Sequence, residues 1–192
     1  MKMKTYDEME KHLKKQLKPK RFKHTLGVID CAVDMAERNG ADVKKAELAA
    51  LLHDCAKNYS RDELLSVAGR CRIPLDDITL KEPQLLHGPV GAVVAREEYG
   101  VTDSEILDAI AYHTTGREDM TLLDKIIYLA DFIEPSRDYP GVDKLRAACK
   151  GEIDDACILA FSNTIRYIAS ISGLIHPRTV VARNYLILQK MQ

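Results

Sequence analysis

The sequence has no long apolar run and no excess of either charge. Its longest uninterrupted apolar stretches, such as Leu48 to Leu52, are far too short for a bilayer, which needs about 20 residues. Lys and Arg number 28 against 29 Asp and Glu, a formal net charge of -1, so nothing global points to nucleic acid or a membrane surface. The opening residues, MKMKTYDEMEKH, lack the apolar core of a secretory signal. The five cysteines, at 31, 55, 71, 149 and 157, form no Cys-x-x-Cys pair. An odd, dispersed set reads as reduced thiols packed as small core residues, which fits a cytoplasmic protein. Repeats, low-complexity tracts and linkers are absent too, and no segment reads convincingly as strand. The expectation is one all-α domain over 1–192.

What is present is helical patterning. Apolar residues make up 46% and charged residues 30%, enough for one real core at this length. The first 23 residues hold nine Lys or Arg against three acids, which raises nucleic-acid contact as a reading. A solvated helix face accounts for them better, because Tyr6, Met9, Leu13 and Leu17 form an apolar stripe opposite the lysines. That helix should run from about Tyr6 to Leu17 and stop before Pro19. A second should run from about Arg21 to Asn39 and end at Gly40. Its core stripe is Phe22, Leu26, Ile29, Val33 and Ala36, and Val28, Cys31 and Met35 make another that passes through His24.

Asp42 is placed to cap a third helix reaching about Lys57, with an all-apolar Leu48–Leu52 run at its centre. Ser60-Arg-Asp-Glu63 reads as a capping box. Pro74 and Pro83 bracket an irregular segment. Helices follow from about Gly88 to Gly100, from Asp103 or Ser104 to about Thr114, and from Thr121 to a stop at Pro135. After a loop over 136–141 come a short helix, a long one over about 153–172, and a last one beyond His176-Pro177.

The chemistry lies in histidines and acids set in apolar contexts. His53-Asp54 lies within Leu51-Leu-His-Asp-Cys-Ala-Lys57, Asp131 in Tyr128-Leu-Ala-Asp131-Phe-Ile, and His24 on the second helix. An unpaired buried carboxylate costs several kcal/mol, about the penalty a bound cation removes. A hydrogen-bonded core pair would account for His53-Asp54 alone, and a salt bridge to Lys125 or Lys57 for Asp131 alone. Taken together, two histidines and two carboxylates from three helices form a mixed nitrogen and oxygen donor set. Such a set suits iron, manganese, zinc or nickel better than calcium or magnesium.

His87 opens His-Gly-Pro-Val-Gly-Ala92, whose glycines allow close approach, and His113 closes a helix in Ala-Tyr-His113-Thr-Thr-Gly116. These two fit phosphate contact, or a second metal with Asp54 bridging; phosphate is the preferred reading. Lys57, four residues after His53, shares its face on a continuous helix and could neutralise a phosphate oxygen, as could Arg137. His12 reads as surface. His176 reads equally as a pocket or a turn residue.

These segments resemble the HD-domain superfamily of metal phosphohydrolases. The closer resemblance within it is to the symmetrical bis(5'-nucleosyl)-tetraphosphatases. It runs over most of the chain, through Arg21-Phe-Lys-His24-Thr-Leu-Gly-Val28, Ala50–Lys57, His87–Ala92, Ala109–Arg117, Tyr128–Pro135, Arg137–Val142 and His176-Pro177. The resemblance implies a helical HD bundle with core motifs over about 20–140. It implies iron held by His24, His53, Asp54 and Asp131. Phosphates would be met by His87, His113, Thr114, Lys57 and Arg137, and the nucleotide by Ser172, Gly173, Leu174, Ile175 and His176. The implied reaction splits diadenosine tetraphosphate into two ADP. Cys55 stands where an aliphatic residue is common, which does not touch ligation.

Two rivals stand beside that expectation. One is a superfamily enzyme acting on nucleoside mono- or triphosphates, and the other is a metal and nucleotide sensor without turnover. A plain helical interaction protein leaves the buried histidines and acids unexplained. Neither nucleic acid nor membrane is an expected partner, and a homodimer is admitted without any residue arguing for it.

Overall fold

The computed structural model describes residues 3–192. Residues 1 and 2, at the head of the expected domain and of the segment read for a signal, lie outside that range. Among the described residues there are eleven α-helices and no strand. They are α1 (Tyr6–Gln16), α2 (Pro19–Asn39), α3 (Val43–Leu52), α4 (Arg61–Arg70), α5 (Asp77–Lys81), α6 (His87–Glu97), α7 (Ser104–Tyr112), α8 (Leu122–Ile133), α9 (Val142–Ala148), α10 (Ile153–Ser170) and α11 (Pro177–Lys190). A 3-10 turn, Pro83–Leu86, leads into α6. No helix among the described residues is long and apolar enough to cross a membrane.

Local signals set most of the boundaries. Thr5, Ser60 and Thr121 each accept from the backbone N–H three residues on, and the acid at that position returns the bond, closing a capping box. Asp42 and Asp103 cap α3 and α7. Pro19 opens α2 as its first residue, so that helix begins two residues earlier than its apolar pattern suggests. Gly40 ends it with φ 72°, a left-handed conformation that glycine adopts without strain.

α2 packs along α3 and α8, α7 crosses α6 and α8, and α10 pairs with α11 against α8. One contiguous apolar core joins Met9 of α1 to Leu186 of α11, with Leu51, Leu52, Ile110, Ile126, Tyr128 and Phe161 fully enclosed. Each such side chain contributes about 1.5–3 kcal/mol by leaving water. His24, His53, His87, His113 and Asp131 lie on or just past α2, α3, α6, α7 and α8, on a close-packed scaffold that resists rearrangement.

Four expectations need correction. The third helix stops at Leu52, so His53, Asp54 and Lys57 stand in a succession of tight turns rather than on a helix. Leu26 is 39% exposed, and Val33 and Cys31 are half-buried; the other expected residues of α2, Phe22, His24, Val28, Ile29, Met35 and Ala36, are buried, together with Thr25 and Ala32. The segment between Pro74 and Pro83 contains α5. His12 is half-buried, its Nδ1 3.0 Å from the Tyr99 hydroxyl, rather than a free surface group. Among the cysteines, Cys55, Cys149 and Cys157 are buried and all five are free thiols.

Candidate metal centre

Three of the site's histidines stand at helix boundaries, His53 and His113 just past α3 and α7 and His87 at the first residue of α6. Nδ1–H of His53 donates to the Ala50 carbonyl at 2.7 Å, and Nδ1–H of His113 donates to the Ile110 carbonyl at 2.7 Å. His87 donates in the same way to the Gln84 carbonyl. In a continuing α-helix, the Ala50 carbonyl would accept from the Asp54 amide. The imidazole takes that acceptor, and the chain turns through Cys55 N–H to Leu52 O and Lys57 N–H to Asp54 O. One bond thus terminates the helix, fixes the tautomer and turns Nε2 inward.

His24, on α2, uses a different anchor. Its Nδ1–H donates to Glu134 Oε1 at 2.9 Å. In its neutral form each of the four rings consequently presents an unprotonated Nε2 to one buried point. Asp54 occupies it. Its Oδ2 lies 3.4 Å from His53 Nε2, 3.8 Å from His24 Nε2 and 2.8 Å from Arg21 Nη1. Its Oδ1 lies 3.2 Å from His87 Nε2 and 3.8 Å from His113 Nε2. Asp131, on α8, brings Oδ1 to 3.0 Å from His24 Nε2, and Arg137 is paired with the same carboxylate.

The donor chemistry fits a cation. The Nε2 atoms of His24 and His53 are buried and have no aligned hydrogen-bond partner. His24 is near enough to Asp131 for attraction, but a bare nitrogen facing a carboxylate oxygen is stable only when positive charge stands between them. A second lone-pair conflict lies 3.0 Å apart, between His87 Nε2 and His113 Nε2, and Lys57 Nζ approaches His87 at 3.2 Å. Ligand atoms of His24, His53 and Asp131 fall within 4.8 Å of one another, and so do those of His53, Asp54 and His113. His53 belongs to both groups, and Asp54, a member of the second, also turns its Oδ2 toward His24 of the first.

The electrostatics follow the geometry. Burial alone would raise the Asp54 carboxyl, but the surrounding His53 and His87 hold it well below the usual carboxylate range. Asp131 is likewise lowered: burial opposes ionisation, and His24, His53 and Arg137 beside it outweigh that. Burial works against a charged His53, yet the Asp54 carboxylate raises it. At His113, burial and repulsion from His87 and His53 outweigh the attraction of Asp54 and Asp131 and push it down to about 3, so it is neutral at ordinary pH. Burial also lowers the Lys57 ammonium, assisted by repulsion from Arg21 and Arg137 and opposed by Asp54.

Thr114 joins the cluster, with Oγ1 3.4 Å from His87 Nε2 and 3.3 Å from His113 Nε2. Every residue expected at the metal or the phosphates thus meets at this junction. The C-terminal set does not touch it. Ser172, Gly173 and Leu174 are exposed and Ile175 half-buried. The turn is held by His176 Nε2 at 3.1 Å from Asp76 Oδ2 and by Arg178, whose guanidinium lies over the Tyr112 ring next to His113.

Sequence reasoning assigned no role to Arg21 and Glu134. Both carried a usable signal. Arg21 is one turn before His24 on the same helix face, and Glu134 is one turn after Asp131.

A bundle in which a His-Asp turn meets a histidine and an aspartate from two flanking helices defines the helical, metal-dependent hydrolases. The HD domain family model matches residues 21–136. The symmetrical bis(5'-nucleosyl)-tetraphosphatase of Bacillus subtilis is 43% identical over 91% of this chain and 94% of its own length. That of Staphylococcus aureus is 36% identical over 90% of this chain and 89% of its own. The crystal structure of a predicted HD superfamily hydrolase involved in NAD metabolism, from Clostridium acetobutylicum, superposes with a TM-score of 0.95. It is 41% identical and covers 98% of this chain and 100% of its own. The chain belongs to the HD domain family and, within it, to the family of the symmetrical bis(5'-nucleosyl)-tetraphosphatases.

Proposed function

We propose that the chain hydrolyses diadenosine tetraphosphate and related dinucleoside polyphosphates symmetrically, releasing two ADP, as a single domain over its whole length. The observation that carries this reading is the convergence of four bare Nε2 atoms and two ionised carboxylates on one buried point, in a chain of this family. His24, His53, Asp54 and Asp131 would hold a divalent cation. These donors suit iron, manganese, zinc or nickel, and the family resemblance makes iron the first choice.

A cation so placed supplies acidified water near neutral pH and offsets charge on phosphoryl oxygens. The chain's own groups do the rest. Arg137 and Lys57 face the site as cations that compensate charge on the phosphates. Thr114 offers a hydroxyl beside two imidazoles and orients a phosphate oxygen. His113 stays neutral and serves as an acceptor, which leaves His87 as the acid: its Nε2 takes a proton from the Lys57 ammonium 3.2 Å away and gives it to the oxygen of the departing ADP, so that Lys57 ends neutral. A second cation on the His87 and His113 side would be held more weakly, since Asp54 is the one carboxylate within 4 Å of those imidazoles among the described residues. The exposed Ser172–Leu174 turn, with Ile175 and His176 behind it, would meet the nucleoside.

Anaerobic metal analysis combined with chromatography of products from a panel of dinucleoside polyphosphates and simple nucleotides tests the reading. ADP as sole product of the tetraphosphate is the expected result. AMP with ATP, or turnover confined to mono- or triphosphates, would overturn the symmetrical assignment. Tight ADP binding without turnover under reduced iron or manganese would make the protein a sensor.

A further inference from the structure

The four histidines of the site are not backed alike. His53, His87 and His113 donate Nδ1–H to neutral backbone carbonyls, whereas His24 donates to the carboxylate of Glu134. That carboxylate is itself fixed. Ser136 donates its backbone N–H to Oε2 at 2.7 Å and its hydroxyl to Oε1. Glu134 is 1% exposed and accepts hydrogen bonds from both Ser136 and His24. Space has been made for it. A Cβ on Gly27 would come within 2.7 Å of Glu134 Oε2 and 3.3 Å of Pro135 Cδ. Because Oε2 is pinned by the Ser136 amide, it cannot swing away at little cost. Arg146 then ties down the chain around it, donating to the carbonyls of Ile133, Glu134 and Arg137 at 2.9–3.0 Å.

We infer that Glu134 is the positioning residue that makes His24 the strongest nitrogen donor of the site, and that Gly27 exists to admit it. A carboxylate at Nδ1–H fixes the ring rotation, holds the tautomer with Nε2 bare, and increases the electron density at that nitrogen. Neutral carbonyls do the first two and much less of the third. The inference rests on the cation reading of the site but requires nothing of the substrate.

The test uses the full-length apo-protein titrated with Co(II) and Mn(II) in competition with a chromophoric chelator. The Co(II) visible spectrum and apo-protein thermal unfolding are recorded alongside. Glu134→Gln keeps the size and an acceptor for Nδ1–H but removes the charge. It should weaken metal binding 10–100-fold and alter the Co(II) bands, with apo unfolding close to wild type. Gly27→Ala should weaken binding similarly, and the double variant should lose little more than either alone, because both act through one carboxylate. Ser136→Ala, which leaves the charge and loosens its hold, should give a smaller loss in the same direction. It carries the test if the other variants do not fold. Wild-type affinity and spectrum in Glu134→Gln, or in Ser136→Ala where it stands alone, would reduce Glu134 to packing. Additive losses in the double variant would separate Gly27 from it. Product identity is read in another assay, so failure of the tetraphosphate reading leaves these outcomes unaffected.

Discussion

The two oxygens of Asp54 look onto unlike neighbourhoods. Around Oδ2 stand His24 and His53, with Asp131 behind His24, Glu134 behind the ring, and the Arg21 and Arg137 guanidiniums closing the side. Around Oδ1 stand His87 and His113 with Thr114 and Lys57, and among the described residues Asp54 is the one carboxylate within 4 Å of these two imidazoles. The first side concentrates negative charge in a place where water cannot screen it, so it favours a resident cation. The second concentrates lone pairs and one ammonium, so it favours exchangeable groups that bring their own charge, phosphate oxygens above all. One carboxylate divides a holding half from a working half.

The largest expected effect comes from removing the divider. Asp54→Asn should cost stoichiometric metal and about a thousandfold of turnover, the scale of losing roughly 4 kcal/mol of transition-state stabilisation. Metal content and single-turnover product formation measure it. Retention of either would mean the halves do not share Asp54. The next comparison sets the halves against each other. His24→Ala should leave substoichiometric metal, whereas His113→Ala should keep one tightly bound cation and lose turnover about a hundredfold. Equal metal loss in both would erase the asymmetry. Arg137→Ala should act at the boundary and raise KM about tenfold, the worth of one charge-assisted hydrogen bond. Steady-state kinetics would show it, and an unchanged KM would remove Arg137 from the phosphates.

How far this site was legible in the sequence depends on what each residue's neighbours could betray. His24, His53, Asp54 and Asp131 stand out because titratable groups in apolar, periodic surroundings demand partners. The helical class follows from the same periodicity and from caps such as Ser60-x-x-Glu63. The end of α3 was not legible in that way. Periodicity continues past Leu52, and only the His53 side chain, competing for the Ala50 carbonyl, stops the helix. Leu26 failed for a related reason: α2 carries apolar residues on two faces, and the pattern alone does not say which face meets α3 and α8. Arg21 and Glu134 look like ordinary charged residues near helix ends. Their importance comes from how closely α2 and α8 approach, a distance that Gly27 helps set and sequence does not display.

The smallest expected effect concerns the arm that leans on the working half. His176 caps α11 by accepting the Arg178 N–H at Nδ1, so its proton is on Nε2, which faces Asp76. A proton on Nδ1 would remove that acceptor. Burial also lowers its pKa below the usual histidine value, the Asp76 carboxylate only partly opposing it. Between the unfolded value near 6.5 and the lower folded value, the unfolded chain binds the proton that the folded chain refuses. The contribution to stability is thus complete above about pH 6.5 and shrinks as pH falls below it. Asp76 acts in a separate, more acidic window, because hydrogen bonds from Thr79 lower its carboxyl and its contribution fades only as pH falls through that depressed value. His113 shares the window of His176 in the apo-protein, so the informative quantity is the difference between wild type and His176→Asn. Asn retains an N-cap acceptor without the titration. Urea unfolding from pH 7.5 to 5 should give the variant a shallower slope, by less than about 1.4 kcal/mol per pH unit, the limit for one proton. Metal content should not change, because the arm touches the Oδ1 half through Tyr112 and not the residues around Oδ2. Identical slopes would mean that the arm is held by the Arg178 and Tyr112 contact instead.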